Sequence, residues 1–384
     1  MCMNKKFLVS FSLFVILVAK RPANSASKYF DLNGSAIGSG VSGDGPYGWG
    51  TWNTKSDGTG LVSSFSSGDF ARFAAGTDAG SSDYTVNASG ASVSGVALQT
   101  NGGGTVTITG GLTISPNAGF FVGGVSTQKL VIADPISGTG PLLWQGVING
   151  TGAGSLYLYG KNTYTVGTVV NSVGGLNFNS ADSFGPPTNT ITFGTNTTTY
   201  VLANPDTTGP LTIPNPVIMR NANTTVVYTG HDPVTWTSWT LGAGVVNTLR
   251  VANTGFTSAK MMIKDLQGDP TSNLVIGAND NESGTVVLTG TSAYGGSTTI
   301  GTGTTGTAIL QADENAGLPT NTYLAFNGGV LQTSAGVFNW PLAVSGTHSM
   351  EWNIAGGGFA AVDHDLRVNI GSDAGSPSGP DALS

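Results

Sequence analysis

Three heptapeptides constrain this 384-residue chain more than anything else in it: Gly104-Thr-Val-Thr-Ile-Thr-Gly110, Gly154-Ser-Leu-Tyr-Leu-Tyr-Gly160 and Gly284-Thr-Val-Val-Leu-Thr-Gly290. All obey G-[ST]-[LV]-x-[LI]-x-G. In a strand, side chains alternate between faces, so Leu156 and Leu158 point one way and Tyr157 and Tyr159 the other. A single such strand cannot bury its apolar face, whereas neighbours stacked in register along an axis can. Two of the copies run on together, "KNTY" at Lys161 to Tyr164 and "TSAY" at Thr291 to Tyr294. Further on, "ADSFGPPTNTITF" from Ala181 answers "ADENAGLPTNTYLAF" from Ala312, and both contain P-T-N-T, at Pro187 to Thr190 and Pro319 to Thr322. The 130-residue offset between these copies holds five or six coils of ~20 to 25 residues.

Composition agrees with many short strands. Only 9% of residues are charged while 39% are hydrophobic, and 59 are glycine. Gly and Asn accept positive φ at corners, and β-branched residues suit a pleated surface. Helical periodicity is confined to one weak stretch, Ala259 to Gln267. A series of β-sandwiches or a closed barrel is the competing fold, but paired hairpin signals are lacking. The expected fold is therefore all-β, a parallel β-helix (β-solenoid), with an irregular N-terminal cap region over 27–100, repeats over 101–370 and a flexible tail over 371–384. The net charge of −7 opposes nucleic-acid binding.

Residues 1–26 read as a secretory signal peptide. Lys5 and Lys6 precede an apolar run from Phe7 to Ala19, and Ala23 and Ser25 offer a small-x-small cleavage site. The run is short of the ~20 residues a spanning helix needs. Lys20-Arg21 beside the cleavage site leaves an uncleaved anchor as the alternative. Cys2 is the only cysteine, so an exported mature chain has no disulfide and depends on ladders and packing for rigidity.

The pattern G-[ST]-[LV]-x-[LI]-x-G-x-[NS]-x-Y, followed by a threonine- and valine-rich strand, resembles the autotransporter-associated β-strand repeat of bacterial passenger proteins. "YFDLNGSAIGSGVSGDGPYGWGTWNTKSDGTG" and "GDFARFAAGTDAGSSDYTV" resemble the N-terminal region of such proteins from planctomycete- and verrucomicrobium-like bacteria. "GGGFAAVDHDLRVNIG" (Gly356 to Gly371) resembles a later segment, so the likeness spans about residues 29 to 371. It implies a right-handed β-helical passenger, exported and displayed or released, and brings no catalytic residues. Proteins of this group are usually much longer, and some end in a membrane barrel or a short sorting anchor. Here "GSDAGSPSGPDALS" (Gly371 to Ser384) has neither alternating barrel strands nor an apolar anchor, and the expectation is a truncated passenger fragment.

Candidate sites are few. Asp363-His364-Asp365 places both aspartates on one face of a strand and the histidine on the other, which reads as a solvated turn rather than a catalytic relay. A metal there would need His231 or His348 brought close by the fold. The acidic pairs Asp313-Glu314, Asp280 with Glu282, and Asp265 with Asp269 fall at turn signals; Asp265, Asp269 and Lys264 in one cleft would favour a polysaccharide lyase or hydrolase. "GANDNESG" (Gly277 to Gly284) has oxygen ligands for Ca2+ without EF-hand spacing. "GTGTTG" (Gly301 to Gly306) and Asn101 to Gly104 are turns, not phosphate loops. Among seven tryptophans, Trp49 and Trp52 read as sealing the first coil, and the i, i+3 spacing of Trp236 and Trp239 predicts opposite faces of a strand.

No catalytic, cofactor-binding or metal-ligating residue is assigned, and no cofactor is expected. The expected function is a non-enzymatic, secreted or cell-surface solenoid with a structural, adhesive or matrix-contact role. Its expected partners are polysaccharide or surface matrix, with no nucleic acid and no membrane span in the mature chain. A secreted polysaccharide lyase or hydrolase on the same fold is the alternative.

Overall fold

A computed structural model describes residues 25–370, except 77, 80, 99–102, 147–151, 195–196, 207–208, 221, 253–258, 281 and 304–305, together with residues 382–383. Nearly all of the expected signal peptide (1–26) and most of the tail (371–384) lie outside the described residues. The described chain is all-β with no helix, and its parallel sheets stack into a β-solenoid of about 11 turns. At ~4.8 Å per coil the stack is roughly 50 Å long.

Thirteen strands form one wholly parallel sheet, here the narrow sheet. From Tyr84 onward, paired residues in it are 20 to 27 positions apart, the extremes being Leu156 opposite Leu176 and Leu249 opposite Ile276. Inward side chains stack on one another, as in the column Val106, Leu130, Leu156, Leu176, Leu202 and Tyr228, nearly all with no exposure. The remaining long sheet, here the wide sheet, has twenty strands. It already includes Asp69–Phe73 and Ala91–Leu98 in parallel register, so the ladder begins within the 27–100 stretch.

The wide sheet turns a corner, and this changes two readings from sequence. In Val234–Thr240, Val234, Trp236 and Trp239 are buried while Thr237 and Ser238 both face outward. The strand Lys260–Gln267 repeats the pattern directly above, with Met261, Ile263 and Leu266 buried and Lys264-Asp265 exposed. Two consecutive outward residues reset the alternation, so Trp236 and Trp239 share the interior instead of opposing each other. The weakly helical stretch Ala259 to Gln267 contains this same bent strand. Its i, i+2, i+5 apolar spacing mimics a helix because the strand wraps an edge.

The glycine-bracketed heptapeptides are strands as expected, but they do not occupy one place in the coil. Thr105–Thr109 and Ser155–Leu158 belong to the narrow sheet, whereas Thr285–Leu288 belongs to the wide one. Five ladder steps lead from Ser155–Leu158 to Asn273–Gly277, and Thr285–Leu288 is the next strand of the chain. The long repeat is therefore five coils plus one face. Local structure is still conserved between its copies: Tyr164 shares a 2.6 Å hydrogen bond with Thr168, and Tyr294 a 2.7 Å bond with Thr298, all four side chains being buried.

Most of the bracketing glycines are needed for close approach rather than for positive φ. A Cβ on Gly104, Gly154, Gly160, Gly284 or Gly290 would overlap a backbone carbonyl of the preceding coil, and none of the five has positive φ. Gly110 is the exception, with φ +77°. Buried asparagines tie the corners together. Asn162 accepts from the Ile136 N–H and donates to the Ser183 carbonyl, both at 2.7 Å. Asn189 donates to the Tyr164 carbonyl at 2.8 Å, and Asn215 to the Pro186 carbonyl at 2.8 Å. Such bonds satisfy backbone groups that a corner removes from the ladder.

At the N-terminal end, Ser27–Phe30 pairs antiparallel with Trp52–Asn53, which pairs antiparallel with Val62–Ser63. Phe30, Trp49, Trp52, Phe65 and Phe73 pack there with ring centroids 4.8 to 6.1 Å apart. This aromatic plug matches the sealing role expected of Trp49 and Trp52. Asn53, fully buried, binds it together through Asp31 at 3.0 Å and the Gly58 carbonyl at 2.7 Å.

Candidate functional site

The outer face of the narrow sheet mixes small polar side chains with valines such as Val131, Val201 and Val275, and one pair of aromatic rings stands on it. Thr105, Thr107 and Thr109 stand half-buried on one coil, and the next begins with exposed Lys129. One coil further, Leu156 and Leu158 enter the core while Tyr157 and Tyr159 lie outside, half-buried, as the alternation predicts. Their rings meet edge to face, with centroids 5.6 Å apart and planes at 89°. The Lys129 ammonium is 5.8 Å from the Tyr157 ring centre.

Asp206 completes the group from two coils beyond. It lies just after Thr199–Asn204, the strand that pairs with Gly175–Phe178, which in turn pairs with Ser155–Leu158. The Asp206 carboxylate lies near enough to both phenols to raise their pKa, most strongly at Tyr159. Outward-facing Asn177 and Ala203, in register with Tyr157, are buried. Burial raises the pKa of both phenols, and the Asp206 charge adds to this, so both remain neutral donors throughout the physiological range.

A shallow depression of about 340 Å³ lies at another corner, lined among others by Asp269, Pro270, Ser292, Asn315, Pro319 and Asn321. Lys264 and Asp265 are not part of its lining; they occupy the outward corner of Lys260–Gln267. The Asp269 carboxylate is taken up by the Thr271 hydroxyl and N–H at 2.6 and 2.7 Å, which hold it below the usual carboxylate range.

Glu282 and Glu314, also singled out in the sequence, are engaged within the fold. Glu282 is buried, pairs with Arg250 at 3.0 Å and accepts from the Asn279 N–H, inside the "GANDNESG" loop, at 2.8 Å. Glu314 faces His348 at 2.9 Å. Asp363-His364-Asp365 is an exposed bend, with Asp363 at φ +65°. Among the described residues no three His, Cys, Asp or Glu side chains form a metal-sized group, and no helix is long and apolar enough to cross a membrane.

Asp313 clips one coil to the next. It accepts from the Thr333 hydroxyl at 2.6 Å, the Ser334 N–H at 2.7 Å, the Ala335 N–H at 3.2 Å and the Ser334 hydroxyl. Burial alone would raise its pKa, but these bonds outweigh that and lower it below 3.8. Its contribution to stability is therefore present above the unfolded value of 3.8 and lost as pH falls through the lower folded value. Asp313→Asn should lower the melting temperature at about pH 6, and the difference from wild type should shrink below about pH 3. Thermal scans across that range check both.

Sequence alternation identifies Tyr157 and Tyr159, but not Lys129 and Asp206 as their neighbours. That neighbourhood depends on coil lengths of 24 to 26 residues along this part of the ladder and on the shorter step of 20 at Leu176. No family model matches the chain, and no match was found to a curated protein or to a solved structure.

Proposed function

We propose that this chain is an exported β-solenoid passenger, of the autotransporter-associated repeat type, that contacts polysaccharide or surface matrix through its polar outer faces without catalysing a reaction. The observation that carries this reading is the outer face of the narrow sheet. Its in-register strands carry outward hydroxyl and amide side chains such as Thr105, Thr107, Ser155, Thr225 and Thr299, interspersed with valines, with the Tyr157–Tyr159 pair among them. Each contact is weak, and a stiff array of about 11 turns makes them additive through multivalency. The non-enzymatic part rests on what the carboxylates already do: Asp313, Glu282 and Asp269 are each occupied by local hydrogen bonds or an ion pair.

Cells producing the full chain, treated with an external protease before lysis, provide the test of export. The expected result is a chain shorter by its leader that disappears on protease treatment of intact cells. Full protection until lysis overturns the surface reading. Release of reducing ends or unsaturated products from polysaccharides by the purified protein overturns the non-enzymatic one.

A further inference from the structure

We propose that Tyr157, Tyr159 and Asp206 form a saccharide-binding seat that takes a neutral pyranose unit of a glycan, with Lys129 at its margin. This rests on the polysaccharide-contact reading above and gives that contact a place and a ligand class.

The first argument is shape. Two rings at 89° and 5.6 Å give a floor and a wall, an arrangement that meets one sugar ring on its C–H face and along its edge. The C–H hydrogens of a pyranose carry slight positive charge and match the negative face of an aromatic ring. The second is polarity. The Asp206 carboxylate lies beside Tyr159 with lone pairs for sugar hydroxyls, while the Lys129 ammonium, 5.8 Å from the Tyr157 ring centre, offers three donors. The third is rigidity: Tyr157 projects from, and Tyr159 directly follows, the strand Ser155–Leu158, whose alternate residues Leu156 and Leu158 are fully buried. Ordering a ligand on so fixed a surface costs little reorganisation of the protein.

Charge selects the ligand further. Asp206 lies at the seat and the chain carries a net charge of −7, so a uronic-acid or sulfated polymer is disfavoured relative to a neutral one. The tryptophans, the more familiar stacking residues, do not compete for this role in the coils around the seat. Trp144, Trp236 and Trp239 are fully buried.

Affinity electrophoresis of the purified protein in gels containing neutral polysaccharides (β-glucan, xylan, mannan) or anionic ones (alginate, polygalacturonate) tests the seat. The wild type should be retarded in at least one neutral gel. Tyr157→Ala and Tyr159→Ala should each weaken that retardation about tenfold in association constant. Asp206→Asn should weaken it by a smaller factor, and Tyr323→Phe, on a distant coil, should not change it. If either alanine variant melts well below wild type, the leucine variant at the same position makes the same comparison, because it keeps apolar bulk without a ring. The proposal is overturned if no neutral polysaccharide retards the wild type, if retardation occurs only in anionic gels, or if the double variant Y157A/Y159A moves like wild type. A protein that is surface-exposed yet unretarded in every gel would remove the seat and leave the export reading standing.

Discussion

Trp236→Ala is expected to cost about 3–5 kcal/mol, the range for deleting a large aromatic from a packed core. Trp236 rises from the wide sheet to meet Phe178 and Phe184 at 5.7 and 6.2 Å, and it touches Trp239 at 5.9 Å. Phe178 belongs to the narrow sheet, so this ring bridges opposite walls of the coil. Its removal leaves a cavity that stacked coils cannot close without breaking register. The indole N–H is buried with no hydrogen-bond partner, so Trp236→Phe removes an unsatisfied donor along with some volume. That variant should cost less, under about 1.5 kcal/mol. Long repeat arrays lose two-state cooperativity, so hydrogen exchange resolved along the chain is a better measure than one melting temperature. Protection should fall most in the coils around Gly175–Phe178 and Val234–Thr240, and least near the N-terminal plug. Uniform loss along the chain, or none, would contradict this account of Trp236.

Gly290→Val should be comparably disruptive, at about 3 kcal/mol or more, although it adds apolar volume to a strand-rich chain. The first carbon it adds would overlap the carbonyl oxygen of Lys264, which is backbone and cannot rotate away. The coil must then separate from its neighbour, and parallel pairing such as Ile263 with Leu288 is lost nearby. Gly290→Ala should already show most of the effect, because the clash is with Cβ itself. Gly50→Ala is the control. Open space surrounds that position and its φ is not positive, so its effect should lie within about 0.5 kcal/mol. Denaturant titration of the three variants beside wild type distinguishes them. Equal stability of Gly290→Ala and wild type would show that the coils are not in close contact there.

These two positions also show what could be read in advance. The alternation in Gly154 to Gly160 correctly assigned Leu156 and Leu158 to the core, because a period of two is a local property of extended backbone. The stacking followed from it, since no single strand could cover that face. What was not legible depended on the corners. The i, i+3 spacing of Trp236 and Trp239 indicates opposite faces only if the strand is straight, and the outward pair Thr237-Ser238 has no distinctive composition. Likewise the match between Tyr164 and Tyr294 was real, but one precedes a strand of the wide sheet and the other a strand of the narrow sheet, a rotation that sequence alignment cannot express. Asp206 comes near Tyr159 only through the summed lengths of two coils. An error of one residue in either would have moved it off the site.

A stack of parallel strands is also a template for polymerisation, since the last rung offers unpaired N–H and C=O groups to any extended chain. At one end of this molecule that chemistry is quenched: Ser27–Phe30 turns the pairing antiparallel through Trp52–Asn53 and Val62–Ser63, and the rings beneath fill the axial opening. Seeding by a neighbouring molecule is thus denied from that direction, and any growth of the rod has a built-in polarity.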